Sequence, residues 1–277
     1  MKRIMRFSIF VRKKWENLLY YKILKPVIFL SKLGRTSIRG HADSGLNFDH
    51  MYKNKPKGVS SVGKFVDKIL LNLPSVKATR NRKEVIVKVL ANEIENNLIL
   101  NRKTRIVDIA SGPARYINEL LDLVDQNKIE VLCLDKDKRA LNYGKILAGD
   151  KPIRYAKADA MKLDLLIQLS KNIHWVPNIV LVSGLFEYKK DADVISIMKE
   201  VYETIEKDGL AIFISQTNNP TKKLMKKLGK TSENKRWMLR YRKPEVLRHW
   251  MLDIGFRGVI ISVDRWDMYE FCTGRKH

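Results

Sequence analysis

The chain has 277 residues, 45% of them hydrophobic and 30% charged, and a formal net charge of +24. That length can bury a full core, and it suits one α/β domain with an added segment better than two equal domains. The two cysteines, Cys133 and Cys272, both fall inside strand-like apolar runs, which argues against a disulfide framework and for a reducing compartment.

The charge is unevenly placed. The first 40 residues hold eleven Lys or Arg against Glu16 alone, and residues 221–248 hold eleven against Glu233 and Glu245. Residues 104–175 are nearly balanced, twelve basic to ten acidic. The excess therefore lies outside the segment that reads as a cofactor domain, and it serves an acceptor, a partner or a surface. In residues 1–40, Lys and Arg interrupt the apolar residues too often to leave the roughly 20 apolar residues of a membrane span. No small-residue cleavage site follows Val27–Leu30. What remains is a basic amphipathic extension rich in aromatics (Trp15, Tyr20, Tyr21, Phe29). Three readings stay open for it: a helix on an anionic membrane surface, a helix packed on the protein's own core, or a nucleic-acid arm.

Residues 41–100 read as a cap of loop and helix. Gly40–Lys57 is polar and punctuated by glycine, which predicts a loop over the site. Within it His41, Asp49, His50 and Tyr52 are candidates to order or deprotonate an acceptor. Ile69–Ile99 is expected to be helical, with Ser75 capping its later part and Val85, Ile86, Val89, Leu90 and Ile94 forming the buried stripe.

From residue 101 onward the pattern becomes that of a βα domain. Arg105–Tyr116, R-I-V-D-I-A-S-G-P-A-R-Y, predicts a strand, a tight turn and a helix. Gly112 lets the main chain close on a ligand, and Pro113 suits the first helical position. The N–H groups of that first turn would favour a carboxylate or phosphate. An ordinary βα turn fits these residues equally well. The next apolar run, V-L-C-L, ends in Asp135, a carboxylate at a strand tip that can accept both hydroxyls of a ribose. The three positions of a dinucleotide fingerprint read Ala110, Gly112 and Arg115, so the third close approach that a pyrophosphate needs is missing. S-adenosylmethionine, an adenosine with a carboxylate at its far end, has no pyrophosphate and fits.

The remaining elements follow in order. Ile153–Ala158 is a short strand ending at Asp159, followed by a helix over Met161–Leu169. Asn178–Ser183 is a strand, Val194–Ile205 a helix and Leu210–Ser215 a strand. In Lys222–Lys243, Trp237, Tyr241, Arg240 and Arg242 suit a phosphate with an apolar or stacked group, although a solvated helix face fits the lysines as well. A helix over Glu245–Leu252 and a hairpin of Gly255–Val263 with Trp266–Cys272 close the chain.

In that order, V-D-I-A-S-G-P-A-R-Y, L-C-L-D, A-K-A-D-A (Ala156–Ala160) and N-I-V-L-V-S-G-L-F-E (Asn178–Glu187) resemble the motifs of class I S-adenosylmethionine-dependent methyltransferases. The flanks are more particular. D-S-G-x-x-x-D-x-x-Y-x-N (Asp43–Asn54), S-G-L-F-E-Y, W-M-L-R-Y-R (Trp237–Arg242) and the closing D-R-W look like a bacterial methyltransferase family that occurs alone or fused behind an α/β-hydrolase domain. The resemblance implies a Rossmann-like α/β fold: a mostly parallel seven-stranded sheet with a C-terminal antiparallel hairpin and helices on both faces.

It further implies S-adenosylmethionine as cofactor, held by Asp108, Ala110, Ser111, Gly112, Arg115, Asp135, Lys136, Asp159, Ala160 and Ser183. In this scheme Asp108 orients the turn, and Asp159 with the Ala160 backbone meets the adenine. Glu187, Tyr188, Tyr52 and Asp49 are the catalytic candidates, and no metal is expected. Enzymes that methylate an exocyclic base amine carry N-P-P-Y or D-P-P-Y after the fourth strand, where this chain has Ser183, Gly184, Leu185 and Phe186. That removes the strongest signal for base methylation. The basic amphipathic N-terminus and the Arg and aromatic segment make a membrane-resident acceptor the first expectation, RNA or protein is the second, and a non-catalytic cofactor-binding module the third. The expected location is cytoplasmic, with peripheral attachment to the inner face of the membrane.

Overall fold

The computed structural model describes residues 20–160 and 165–277. Residues 1–19, which carry much of the basic extension, lie outside the described residues. A π-helical turn, Tyr20–Leu24, leads into α1 (Lys25–Leu30) and α2 (Lys32–Thr36). Ser31 caps α2, its Oγ accepting from Gly34 N at 2.8 Å.

The stretch expected to be a loop is a helix, α3 (Gly45–Lys53), capped by Ser44 and ended by Asn54 in the left-handed conformation. Its polar letters concealed it because they point inward. Asn47, Asp49 and His50 are buried, and His50 Nε2 meets Asp67 Oδ2 at 2.8 Å. The helix expected from Ile69 is in fact two, α4 (Ser61–Leu71) and α5 (Pro74–Ile99), with Pro74 in the first turn of α5, where it breaks no hydrogen bond. Ser75 is no cap: its Oγ pairs with Thr221 Oγ1 at 2.7 Å. Ile86, Leu90 and Ile94 bury as their spacing requires.

The sheet domain then runs β1 (Thr104–Ile109), α6 (Arg115–Leu121), β2 (Ile129–Asp135), α7 (Lys138–Ala148), β3 (Ile153–Lys157), α8 (Leu165–Asn172), β4 (Ile179–Ser183), α9 (Asp191–Thr204) and β5 (Leu210–Gln216). It ends with α10 (Lys222–Leu228), α11 (Val246–Ile254), β6 (Arg257–Val263) and β7 (Tyr269–Arg275). The seven strands lie in the order β3-β2-β1-β4-β5-β7-β6. All neighbours from β3 to β5 are parallel, and β7 runs antiparallel to both β5 and β6.

The central strands bury both faces, so alternate residues feed two cores. Val107, Leu132, Val180 and Phe213 face the layer of α8, α9 and α11, while Ile106, Val131, Leu181 and Ile212 face α5 and α6. A third, smaller cluster (Ile28, Met51, Leu70, Leu71, Val76) ties the first five helices together. Both Cys133 and Cys272 are free and buried. Chain connections reverse direction between β1 and β4, and at such a switch point the carboxyl ends of the strands leave a crevice. Among the described residues, no helix is long and apolar enough to cross a membrane.

Candidate active site

That crevice is a cavity of about 960 Å³ over the tips of β1, β2, β3 and β4, roofed by α3 and by residues from the 231–238 segment. The β1 turn is tightly wound. Ala110, Gly112 and Ala114 have φ of 60°, 56° and 50°, a left-handed region that non-glycine residues enter at a cost. The turn consumes Pro113, so α6 starts at Arg115 rather than at the proline. Gly112 has a role the sequence did not suggest. A Cβ there would stand 3.1 Å from Gly45 Cα, so the missing side chain makes room for the start of α3. Gly45 reciprocates, since its own Cβ would lie 2.7 Å from Gly112 Cα.

Asp135 ends β2, and its two oxygens accept from Gly112 N at 2.7 Å and Asp137 N at 2.8 Å. Burial raises its pKa, and these two N–H donors pull it back. The carboxylate is thus fixed before any ligand arrives, with lone pairs left for hydroxyl donors. Asp137 in turn caps α7, accepting from Arg139 N at 2.9 Å.

Gly112, Asp135 and Asp159 line the one cavity, together with Ala110, Ser111, Arg115, Lys136, Ala160, Ser183, Asp49, Tyr52 and Tyr188. Two predicted site residues stand behind its wall instead. Asp108 is fully buried, accepts from Tyr116 Oη at 2.8 Å and is pushed well above the usual carboxylate range by burial. Glu187 is also buried outside the lining, and burial raises its pKa as well.

The remaining catalytic candidates are held by protein partners. Asp49 bridges Arg115 Nε at 2.5 Å and Lys53 Nζ at 2.9 Å, clamping α3 to α6. Tyr52 Oη accepts from Arg82 Nη2 at 2.5 Å, and burial raises the phenol's pKa. Tyr188 Oη accepts from Trp237 Nε1 at 3.0 Å, and burial, followed by the nearby Glu187, pushes its pKa well up. His41 lines the cavity with its Nδ1 buried and unpartnered, whereas His50 is turned away onto Asp67.

The Arg and aromatic segment also departs from expectation. Arg242 is buried and donates to Phe186 O and Lys189 O, each at 2.8 Å, and to Asp191 Oδ1 at 2.9 Å. It staples the β4–α9 connection and takes no phosphate. The backbone of the segment does similar work, with Arg240 N on Glu187 O and Arg242 N on Gln216 O. Arg82, which lines the cavity from α5, escaped sequence reading altogether. Its signal was a basic residue on the helix's apolar stripe, four residues from both Ala78 and Ile86. Among the described residues no cluster of His, Cys, Asp or Glu could hold a metal ion.

A seven-stranded sheet of this order, with a ligand crevice at its switch point, defines a Rossmann-like methyltransferase fold of class I. The chain matches the family model described as Putative methyltransferase over residues 10–276, and it belongs to that family. It is 25% identical over 233 residues to the uncharacterized protein YnbC of Escherichia coli (strain K12). That match takes in 82% of this chain but only 39% of YnbC, so the chain spans well under half of that relative. Among solved structures, a possible exported protein from Bordetella parapertussis is similar with a TM-score of 0.66 at 17% identity, covering 86% of this chain and 80% of the other. The magnesium protoporphyrin IX methyltransferase ChlM from Synechocystis PCC 6803, solved with bound SAH, is similar with a TM-score of 0.56 at 12% identity, covering 84% and 94%.

Proposed function

We propose that the protein transfers a methyl group from S-adenosylmethionine to an acceptor presented at an anionic membrane surface. The observation that carries the cofactor assignment is Asp135, anchored by two backbone N–H groups at the mouth of the cavity that Gly112, Asp159 and Ala160 also line. These residues fit the adenosyl sulfonium: Asp135 would hold the ribose, and Asp159 with Ala160 the adenine. When bound, that group supplies an electrophilic methyl carbon. About 960 Å³ exceeds what one such cofactor occupies and leaves space beside the β4 tip for an acceptor. Here the chain's own work is positioning and water exclusion by the α3 roof. ChlM, of the same fold, was solved with SAH and with SAM bound.

The membrane part rests on an exposed apolar face. Val59, Val62, Phe65 and Ile69 on and before α4 stand out with Tyr21, Ile23, Leu24 and Val27 on and before α1, and Lys22, Lys64 and Lys68 are interspersed. Outward aromatic and aliphatic side chains set among lysines suit the interface of an anionic bilayer.

Two measurements test this reading. Calorimetry with S-adenosylhomocysteine is expected to show saturable one-to-one binding, and no heat with a folded protein would remove the cofactor assignment. In flotation, the full chain is expected to rise with phosphatidylglycerol vesicles and not with phosphatidylcholine vesicles, and F65S is expected to weaken that. Equal recovery without lipid would remove the membrane. Labelled methyl transfer into the lipid, RNA or protein fraction of a cell extract then fixes the acceptor class.

A further inference from the structure

Arg82 is a cation kept in the protein interior without an acid to pair with. Only 3% of it is exposed, and it forms no ion pair among the described residues. Its one polar bond is Nη2 to Tyr52 Oη at 2.5 Å, while Nε and Nη1 are buried without a partner. Three rings surround the guanidinium carbon, Phe48 at 5.2 Å, Tyr52 at 5.8 Å and Tyr269 at 4.9 Å. They hold the group in place and return part of its lost hydration, but they offer nothing to the two free N–H donors. Glu187 and Asp108 act on it through space, yet neither comes within ion-pair distance, and burial favours the neutral form of each.

Arg82 lines the cavity, and its free Nη1 lies beside the cavity-lining Gly184. A Cβ on Gly184 would come 3.1 Å from Nη1, and Gly184 has φ +76°, so the backbone just past β4 lies against the guanidinium. The neighbouring Ser183 lines the same cavity, and its buried Oγ also has no partner. A cation with two unused donors, a hydroxyl with none and a bare backbone between them make an empty receptor for oxygen atoms. Protein interiors rarely leave such groups unmet.

We propose that Arg82, with Ser183, receives an oxyanion, carboxylate or phosphate, borne by the methyl acceptor, so that the acceptor is an acid. This rests on the cavity taking S-adenosylmethionine, and it assigns the other end of that cavity. Arg82 touches elements on the β4 and β7 side, whereas Asp135 and Asp159 stand at the tips of β2 and β3, across β1. The cofactor itself carries a net positive charge. The lining nevertheless holds eight Lys or Arg against six Asp or Glu, an excess that a cationic cofactor does not call for and an anionic acceptor does.

The test uses the full chain labelled with 15N-arginine and saturated with S-adenosylhomocysteine, titrated in turn with acetate and with orthophosphate. The Nε–H resonance of Arg82, assigned by its loss in R82K, is expected to shift saturably in the millimolar range with at least one anion. No shift with either anion overturns the proposal. In parallel, wild type, R82K and R82Q are titrated with S-adenosylhomocysteine and with 5′-methylthioadenosine, which lacks the amino-acid carboxylate. Affinities within threefold of wild type for both compounds are expected. A loss of tenfold or more confined to S-adenosylhomocysteine overturns the proposal by giving the arginine to the cofactor. If the variants fail to fold, the Arg82 resonance is assigned instead by through-bond triple-resonance spectra of 13C,15N-labelled wild type, and the wild-type titration decides. If wild type binds neither adenosyl compound, the cofactor reading fails, and the anion titration on the free protein still reads Arg82.

Discussion

The two ends of the cavity differ in how their polar groups are spent. At the β2 end, both oxygens of Asp135 are committed to backbone N–H groups, and Asp137 is committed to a helix cap. Nothing there waits for a ligand in order to be held in place. At the β4 end, Arg82 Nε and Nη1, Ser183 Oγ and Glu187 Oε2 are buried without partners. One end is preorganised by its own backbone, and the other carries desolvation costs that a ligand can relieve. On the proposed reading, the cofactor is bound through local geometry and the acceptor through groups gathered from distant segments.

The sharpest way to break the comparison is Arg242→Ala, because Arg242 fixes only the β4 end. Its buried guanidinium donates to Phe186 O, Lys189 O and Asp191 Oδ1, and truncation removes all of these bonds at once, leaving Phe186 O with Lys189 N alone and Lys189 O without its side-chain donor. We expect a loss of about 3 kcal/mol in urea unfolding. S-adenosylhomocysteine affinity should stay within about threefold of wild type in calorimetry, because none of these partners belongs to the β1 or β2 turn. A tenfold drop in affinity would show that the ends are one coupled unit.

Asp135→Ala is the converse and the next largest effect. It removes the acceptor of two backbone N–H groups and the predicted ribose ligand. Affinity for S-adenosylhomocysteine should fall by roughly 30 to 100-fold, about 2–3 kcal/mol, by calorimetry. The Nε–H resonance of Arg82 should remain unmoved, because the change lies across β1.

The same contrast explains what the sequence made legible. Short apolar runs, the glycine turn and the acid ending β2 are local patterns, and they place β1, β2, β4, β5 and the closing hairpin to within a few residues. The β4 end is assembled from Phe48 and Tyr52, Arg82, Gly184 and Tyr269, residues that no local spacing connects. Helix α3 was hidden for a related reason: its polar residues find buried partners such as Asp67 and Arg115, so its pattern is that of a loop. Arg242 looked like a phosphate ligand because sequence shows a side chain's chemistry but not its partner, which here is the chain's own carbonyls.

A pH series sharpens the comparison further, because the β5–β7 side also buries Glu270. Its carboxyl accepts from Glu245 N at 3.1 Å, Oε2 has no partner, and burial pushes its pKa up from 4.5 to about 6. A raised carboxyl pKa means that the native state keeps a proton the unfolded chain has lost. Stability is therefore full below about 4.5, falls as the pH rises to about 6, and stays lower above that. Glu270→Gln cannot ionise and keeps an acceptor oxygen. It should match wild type at pH 4 and exceed it at pH 7 by about 1 kcal/mol in urea unfolding. Asp108, Glu187 and Asp135 are shifted in the same direction, so the variant should flatten the pH profile without levelling it.

The smallest effect lies in the strained β1 turn, where burial decides between two residues of equal backbone strain. Ala110 and Ala114 both sit at left-handed φ, 60° and 50°, and glycine relieves each by about 1 kcal/mol. Ala110 is only partly buried, so Ala110→Gly should gain about 0.5 kcal/mol after the lost methyl contact and the freer unfolded chain are subtracted. Ala114 is fully buried among Ile117 and Leu120, and loss of its methyl cancels the relief, so Ala114→Gly should be neutral or destabilising. Urea unfolding of the pair reads this difference. Equal gains would mean that backbone strain alone sets the stability of the turn, and that its packing against α6 contributes nothing.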